Sequence, residues 1–166
     1  ISMTSIKIRK ITDEDLARLG EIEALCFPAA EAASPTVLKD RWRAFSSSFL
    51  GAEDDNGLLI GFINGCCTDS PVIRDEMFLS TEHHCPQGKN QSIFGLDVAP
   101  AYWKQGIGAQ LMEAFIGLAR QAGRENIILT CKAHLIPYYE KFGYKNNGQS
   151  ASSHGGAVWY DMTLKL

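Results

Sequence analysis

The chain has 166 residues, 45% hydrophobic and 21% charged, a composition typical of one globular domain spanning residues 1–166. Its net charge is −3, with both signs interspersed, which argues against a nucleic-acid-binding protein because those usually carry a basic face. No apolar run approaches the ~20 residues of a membrane span, and no leader segment is recognisable. Five cysteines at irregular spacing predict reduced thiols in a cytoplasmic protein and no structural metal site.

The first half of the chain predicts a strand, two helices and a hairpin. "IKIRKI" alternates as a strand does, and "TDED" resembles a capping box before an apolar helical stripe that reaches Cys26. The small-residue segment "FPAAEAASP" separates this helix from a short one over 36–45. "DDNG" is a hairpin turn pattern between two strands, and a further short helix is expected within 70–78.

The second half predicts one strand–helix–strand unit followed by an antiparallel pair. "SIFGLDV", residues 92–98, is expected to form a single strand, and an apolar stripe predicts a helix from Gly106 to about Gln121. "NIILTC" is apolar enough for a strand buried on both faces. Pro137 suits the first turn of a short helix that Gly143 ends, and two closing strands follow. The order predicts an α/β fold with a mixed sheet.

Two glycines in "KQGIG" lie where the central strand gives way to the long helix. One interpretation is a plain tight turn. The other is an anion site, because free N–H groups and the positive dipole end gather at a helix start. Missing β-carbons would also let a pyrophosphate approach the main chain. Neither common nucleotide fingerprint fits, so both interpretations stay open at this point.

Two longer segments resemble those of a known superfamily. "LDVAPAYWKQGIGAQLM" resembles the acetyl-coenzyme A motif of the GNAT N-acetyltransferases, and "LIPYYEKFGY" resembles their second signature. "LTCKAHLIPYYEKFGY" is most similar to the arylalkylamine (serotonin-type) branch. The resemblance implies a twisted, mostly antiparallel sheet with a central parallel pair that splays at 92–98, and helices on both faces. It also implies direct transfer of acetyl from acetyl-coenzyme A to a primary amine in a ternary complex.

The same resemblance implies which residues bind the cofactor. Main-chain groups of Leu96 and Val98 would pair with the pantetheine arm as an added strand does. Trp103 stands where the family usually has Gln or Arg, which removes one polar contact. The pyrophosphate would be held by the main-chain amides of Lys104, Gln105, Gly106, Ile107, Gly108 and Ala109.

For the chemistry, the resemblance implies that Tyr139 donates a proton to the coenzyme A thiolate. A phenol with an ordinary pKa of about 10 suits that role, although packing under the helix would also explain a tyrosine at this position. The two histidines that face the substrate in arylalkylamine enzymes correspond to Ser92 and Phe94, so the base must differ. His154 is a candidate base, a surface-loop histidine is the alternative, and ordered water near Ser92 is the fallback.

The acceptor would be bound by residues from distant segments. Phe27 would provide an apolar wall, Glu31 would anchor a cationic amine, and Phe94 and Trp159 would line the pocket. Glu31 could equally be a solvated loop charge. The preferred acceptor is a small-molecule amine, with a monomer or homodimer, no metal, no nucleic acid and no membrane. Two alternatives stay open: acetylation of a protein N-terminus or lysine, and a non-catalytic acyl-coenzyme A-binding domain.

Overall fold

The computed structural model describes residues 5–166, and the following strands, helices and turns all lie within that range. The strands are β1 (Lys7–Arg9), β2 (Phe49–Glu53), β3 (Leu59–Asn64), β4 (Cys67–Thr68), β5 (Asn90–Ile93), β6 (Gly95–Val98), β7 (Asn126–Cys131), β8 (Lys145–Gln149) and β9 (Tyr160–Lys165). The helices are α1 (Leu16–Cys26), α2 (Pro35–Phe45), α3 (Asp75–Leu79), α4 (Ile107–Gln121) and α5 (Ile136–Glu140). Single 3₁₀ turns occupy Asp13–Asp15, Ser46–Ser48, Thr81–His83, Pro100–Tyr102, Ala133–Leu135 and His154–Gly156.

The strands form two sheets, which are joined at Phe94 between β5 of one sheet and β6 of the other. The first has the order β1-β2-β3-β6 and is antiparallel throughout. The second has the order β4-β5-β7-β9-β8, in which β5 and β7 are parallel and the other pairs antiparallel. The predicted mixed sheet with a central parallel pair is confirmed.

Helices cover both faces of the first sheet because successive strand residues point to opposite sides. Phe62 packs with the buried side chains of α1 and α2, whereas its neighbour Ile63 packs with those of α4. Both side chains are fully buried. The strand pattern therefore holds the two short N-terminal helices on one face and the long amphipathic helix on the other.

The predicted single strand over 92–98 is wrong, because the chain changes sheets at Phe94. Ser92 N donates to Cys66 O at 2.8 Å on one side of the break, and Phe94 N donates to Asn64 O at 2.7 Å on the other. The neighbouring β3–β4 connection bends with it. A β-carbon on Gly65 would stand 1.8 Å from the Ser92 carbonyl oxygen, so glycine is required for this close approach.

Two helix boundaries also differ from the prediction. The helix expected within 70–78 begins only at Asp75, because the Ser70 hydroxyl donates to Val72 O at 2.6 Å and holds a turn there. The helix at Pro137 ends at Glu140, and the main chain continues as a turn to Gly143, whose φ is +100°.

Candidate active site

The candidate site lies where the two sheets separate. β5 and β7 stay paired as far as Ile93 and Leu129. After Phe94 the chain enters β6, which pairs with β3, while β7 continues to pair with β9 through Cys131. The parallel pair therefore splays, and a cleft opens along one edge of β6.

The exposed edge of β6 carries the main-chain groups of Leu96 and Val98. Ala99 N donates to Ile60 O at 2.8 Å, so the alternation of an antiparallel ladder turns Leu96 and Val98 toward the cleft. The Val98 carbonyl already has two donors: Trp103 Nε1 at 2.6 Å and Cys26 Sγ at 3.2 Å. The Trp103 indole thus contacts the strand edge that the family resemblance assigns to pantetheine.

The loop before α4 brings main-chain amides to a groove of about 540 Å³ beside that edge. Gly106 caps the helix with φ +76°, a left-handed conformation that glycine adopts without strain, and a β-carbon there would meet nothing within 4 Å. A β-carbon on Gly108 would point into the groove, 3.0 Å from Tyr138 Oη and 3.8 Å from Val98 Cγ2. Gly106 is needed for its conformation and Gly108 for the space it leaves.

The electrostatics of this helix start favour an anion. The first-turn N–H groups of α4 have no partners within the helix, and no acidic side chain occupies the first turn. The helix dipole adds a positive partial charge at the same end. The groove can therefore accept a phosphate group through backbone amides.

A second cavity, of about 360 Å³, adjoins the groove. Aromatic side chains from four parts of the chain line it: Phe27, Phe78, Phe94 and Trp159. Phe78 and Phe94 are in ring contact, with centroids 5.1 Å apart. The groove and the cavity share four lining residues, which are Phe27, Leu96, Leu135 and Tyr139.

Tyr139 stands at this junction because Pro137 sets the start of α5 just after β7. Its ring contacts Tyr138 and Tyr144, with centroids 5.2 and 5.9 Å away. Burial, with a smaller contribution from the nearby Cys131, raises the pKa of the Tyr139 phenol well above its usual range. The phenol keeps its proton at neutral pH and can act as an acid toward a group in either hollow.

Two loops close the far side of the cavity. His154 Nε2 lies 3.0 Å from Glu31 O, and the imidazole stacks on Phe78 with centroids 4.5 Å apart. The Glu31 carboxylate accepts from Lys132 Nζ at 2.9 Å. Trp159 Nε1 donates to His154 O at 2.9 Å. Glu31 is therefore an ion-paired residue of the cavity wall rather than a free loop charge.

Comparison with known proteins agrees with this geometry. The sequence profile described as the acetyltransferase (GNAT) family matches residues 16–144, most of the chain. The chain belongs to the GNAT family. The predicted family, fold class and enzyme class, an N-acetyltransferase, are confirmed.

The individual proteins that the chain resembles share less than 30% sequence identity with it. Serotonin N-acetyltransferase of Mesocricetus auratus is 27% identical, covering 99% of this chain and 80% of the relative. The Macaca mulatta protein of the same name is 28% identical, with 99% and 81% covered. Among solved structures, the loading GNATL domain of CurA from Lyngbya majuscula aligns with a TM-score of 0.83 at 14% identity, covering 97% and 98%. The structure of yncA from Salmonella typhimurium with acetyl-CoA aligns with a TM-score of 0.71 at 20% identity, covering 97% and 94%.

The GNAT cleft brings most of the sequence-predicted residues together. The groove is lined by the predicted cofactor residues Leu96, Val98, Lys104, Gly106, Ile107, Gly108 and Ala109. The cavity is lined by Phe27, Glu31, Phe94, Tyr139, His154 and Trp159. Gln105 does not line either hollow. The Ser92 hydroxyl is fully buried and donates to Cys66 O at 2.8 Å, away from the cavity wall.

The sequence interpretation missed several cavity residues. Phe78 and Arg41 lie on short helices whose spacing gave no indication of a site, and Glu23 borders the apolar stripe of α1. Asp97, buried beside them, was the detectable case, because a carboxylate inside the apolar segment "IFGLDV" requires an explanation.

Within residues 5–166, no group of three or more histidine, cysteine or acidic side chains is placed to hold a metal ion. No helix in the same range is both long and apolar enough to cross a membrane.

Proposed function

We propose that this GNAT enzyme transfers the acetyl group of acetyl-coenzyme A to the primary amine of a small, partly aromatic molecule, by direct attack in a ternary complex. The observation that carries the proposal is the junction at Tyr139, where the groove at the start of α4 meets a cavity that several aromatic side chains help to line. The groove suits an extended phosphorylated cofactor and the cavity suits a compact acceptor.

The cofactor would lie with its pyrophosphate at the start of α4 and its pantetheine arm along β6. That end of the groove is lined by Lys104, Gly106, Ile107, Gly108 and Ala109, and Leu96 and Val98 offer the strand edge. A relative of this fold, yncA, is described with acetyl-CoA as its cofactor. Pantetheine pairing with Val98 O would replace the indole N–H of Trp103, which donates to this carbonyl oxygen at 2.6 Å.

The acceptor cavity favours a small amine over a peptide. Its volume of about 360 Å³ is at the lower end of the range for small-molecule sites, and its wall is mostly apolar, with several aromatic side chains. The curated relatives named serotonin N-acetyltransferase support an aromatic alkylamine. Acetylation of a protein N-terminus or lysine would need an open groove instead, so peptide acceptors serve as a direct comparison.

The chemistry follows from the shared junction. The neutral amine nitrogen attacks the thioester carbonyl carbon, the C–S bond breaks, and Tyr139 donates its phenolic proton to the departing thiolate. The main-chain N–H near Leu96, on the free edge of β6, would stabilise the oxyanion. The amine must first lose its own proton, since alkylamines resembling lysine have a pKa near ~10.4.

The test is a turnover screen of acetyl-coenzyme A against small amines, peptides and amine-free controls, run on wild type, Tyr139→Phe and Tyr160→Phe. We expect turnover with arylalkylamines, and roughly 10²-fold slower turnover in Tyr139→Phe, because general-acid catalysis typically contributes that much. Affinity for acetyl-coenzyme A should be unchanged, since the proton is needed only as the thiolate leaves.

Tyr160→Phe removes a hydroxyl from β9, outside both hollows, and should retain wild-type turnover. Preferred turnover of peptides would refute the small-amine acceptor. Tight cofactor binding without turnover of any amine would instead support a non-catalytic acyl-coenzyme A-binding domain.

A further inference from the structure

A cluster of polar side chains converges on Gly95 at the edge of the acceptor cavity. A β-carbon on Gly95 would stand 2.7 Å from Asp97 Oδ1, 3.7 Å from Asn64 Nδ2 and 3.7 Å from Glu23 Oε1. These three atoms come from β6, β3 and α1. We call Glu23, Asn64 and Asp97, with the nearby Arg41, the Gly95 cluster.

The cluster is buried and its hydrogen bonding is incomplete. Asn64 and Asp97 are fully buried, and Glu23 is 5% exposed. Both Asp97 oxygens, both Asn64 amide atoms and Glu23 Oε1 lack hydrogen-bond partners among the described residues, whereas Glu23 Oε2 accepts from Ala33 N at 2.9 Å. Unmade buried hydrogen bonds are destabilising, so this arrangement favours a polar occupant and a proton held between the carboxyl groups.

The charges within the cluster point to the same conclusion. Burial, with the neighbouring Glu23, raises the pKa of Asp97 well above its usual range, and Arg41 only partly opposes this. Burial also lowers the pKa of Arg41 and raises that of Cys66, and it raises the pKa of Cys26 to about 11. Both thiols are therefore neutral. With both carboxyl groups ionised, the cluster carries one negative charge in excess.

The cluster opens onto the cavity that would hold the amine. Glu23, Arg41 and Gly95 line this cavity together with Leu96 and Tyr139. Asp97 lies directly behind them and is not part of the cavity wall. An ammonium group entering at this point would supply the missing positive charge and donors for the carboxylate oxygens.

We propose that the Glu23–Asp97 pair is the proton acceptor of the reaction, with Glu23 contacting the acceptor ammonium and Asp97 acting as a positioning residue behind it. In its fully ionised form the pair takes one proton from the ammonium nitrogen, which leaves a neutral amine beside a singly protonated pair balanced by Arg41. The neutral amine then attacks the thioester, and Tyr139 protonates the thiolate. This assignment rests on the proposed acetyl transfer.

The Glu23–Asp97 pair would take the role of the two histidines that face the substrate in the arylalkylamine enzymes, which are Ser92 and Phe94 here. Two carboxyl groups that share a proton titrate as a unit with separated pKa values, and the upper one rises toward neutrality. A base of that kind operates at neutral pH, where an isolated surface carboxylate is too weak.

The first test needs no turnover. Infrared spectroscopy of the wild-type protein at neutral pH should show the carbonyl band of a protonated carboxylic acid, and this band should vanish as pH rises through the upper pKa of the pair. Asp97→Asn should remove the band, and in Glu23→Gln the band should vanish at a lower pH, because Asp97 stays buried but loses its acidic neighbour. The surface substitution Glu21→Gln on the same helix should leave the band as it is in wild type. A wild-type protein without such a band would overturn the proposal, whether or not any amine is acetylated.

The second test is the pH dependence of kcat/KM with the best amine of the panel. Glu23→Gln should lower kcat/KM at neutral pH by roughly 10²–10⁴-fold, the usual range for general-base catalysis, and remove the ionisation from the profile. Asp97→Asn should change that ionisation, because the pair would lose one of its two carboxyl groups. If these residues served only folding, the substitutions would lower kcat/KM by a similar factor at every pH.

His154 provides the opposing outcome. If His154→Ala erases the ionisation and Glu23→Gln retains it, the histidine is the base and the pair is not. Calorimetry with acetyl-coenzyme A distinguishes loss of the base from loss of cofactor binding, since the Glu23→Gln variant should bind acetyl-coenzyme A as wild type does. Turnover in wild type with a normal profile in Glu23→Gln refutes the pair alone, whereas no turnover of any amine refutes the acceptor class alone.

Discussion

Replacing Gly108 with valine should block the cofactor groove while leaving the fold intact. The new side chain would enter the hollow bounded by Tyr138 Oη at 3.0 Å, Val98 Cγ2 at 3.8 Å and Leu96 Cδ2 at 3.9 Å. Hydrogen bonds to a charged group contribute about 1.5–3 kcal/mol each, so losing two amide contacts to a pyrophosphate weakens binding by roughly 10²–10⁴-fold. Stability should change little, because valine is a slightly better helix former than glycine.

Gly106→Ala is the matched control, because it perturbs the other property of the loop. Gly106 has φ +76° but open space around its missing β-carbon. A left-handed alanine costs roughly 1–2 kcal/mol, which for a chain of this size lowers Tm by about 2–8 °C. Because Gly106 also lines the groove, the folded variant should lose some cofactor affinity, but less than Gly108→Val does.

Calorimetry with acetyl-coenzyme A and thermal unfolding of the two variants distinguish the need for a left-handed backbone at Gly106 from the need for open space at Gly108. We expect a large affinity loss with unchanged Tm for Gly108→Val, and a lowered Tm with a smaller affinity loss for Gly106→Ala. Wild-type affinity in Gly108→Val would mean that the cofactor does not approach the loop, and that the glycine serves only a tight turn.

Two other perturbations test the groove edge and the N-terminal region. Trp103→Phe removes the indole donor from Val98 O, so calorimetry should show roughly 2–10-fold tighter binding of acetyl-coenzyme A, the equivalent of one hydrogen bond of about 0.5–1.5 kcal/mol. Weaker binding would instead make the indole a cofactor contact. The Arg9 guanidinium bonded to Asp15 lowers the pKa of that carboxyl, so its stabilisation is present at neutral pH and is lost as pH falls through the lowered value. Urea unfolding should show Asp15→Asn less stable than wild type at pH 7, with a difference that disappears in acid; a difference independent of pH would contradict the ion pair.

The sequence predicted the elements with strong local patterns and failed where tertiary contacts decide. The hairpin at "DDNG" formed as expected, since Asp54 Oδ1 accepts from both Asn56 N and Leu58 N and Gly57 has φ +80°. The division of residues 92–98 between two sheets could not be foreseen from the segment. It depends on the approach of Gly65 to Ser92, 27 positions along the chain, which leaves no periodicity in the segment itself.

The site shows the same division between local and distant information. The glycine loop and Tyr139 belong to short continuous segments, and the structure places both along the cleft. The acceptor wall instead depends on contacts such as His154 with Glu31, which are 123 positions apart. Family resemblance supplied those positions. The Gly95 cluster arises from three elements at once, and only the unusual Asp97 marked it in the sequence.

The three tryptophans occupy three different parts of the molecule. Their intrinsic fluorescence can therefore report the order in which the two substrates bind, with no added fluorophore. Trp103 lies across the cofactor groove, Trp159 lines the acceptor cavity, and Trp42 is held by Ile11 O at 3.1 Å outside both. Proteins that retain Trp42 with only one of the other two would report each hollow separately in rapid-mixing fluorescence. An ordered mechanism gives a Trp159 response that depends on prior cofactor, whereas random addition gives two independent responses.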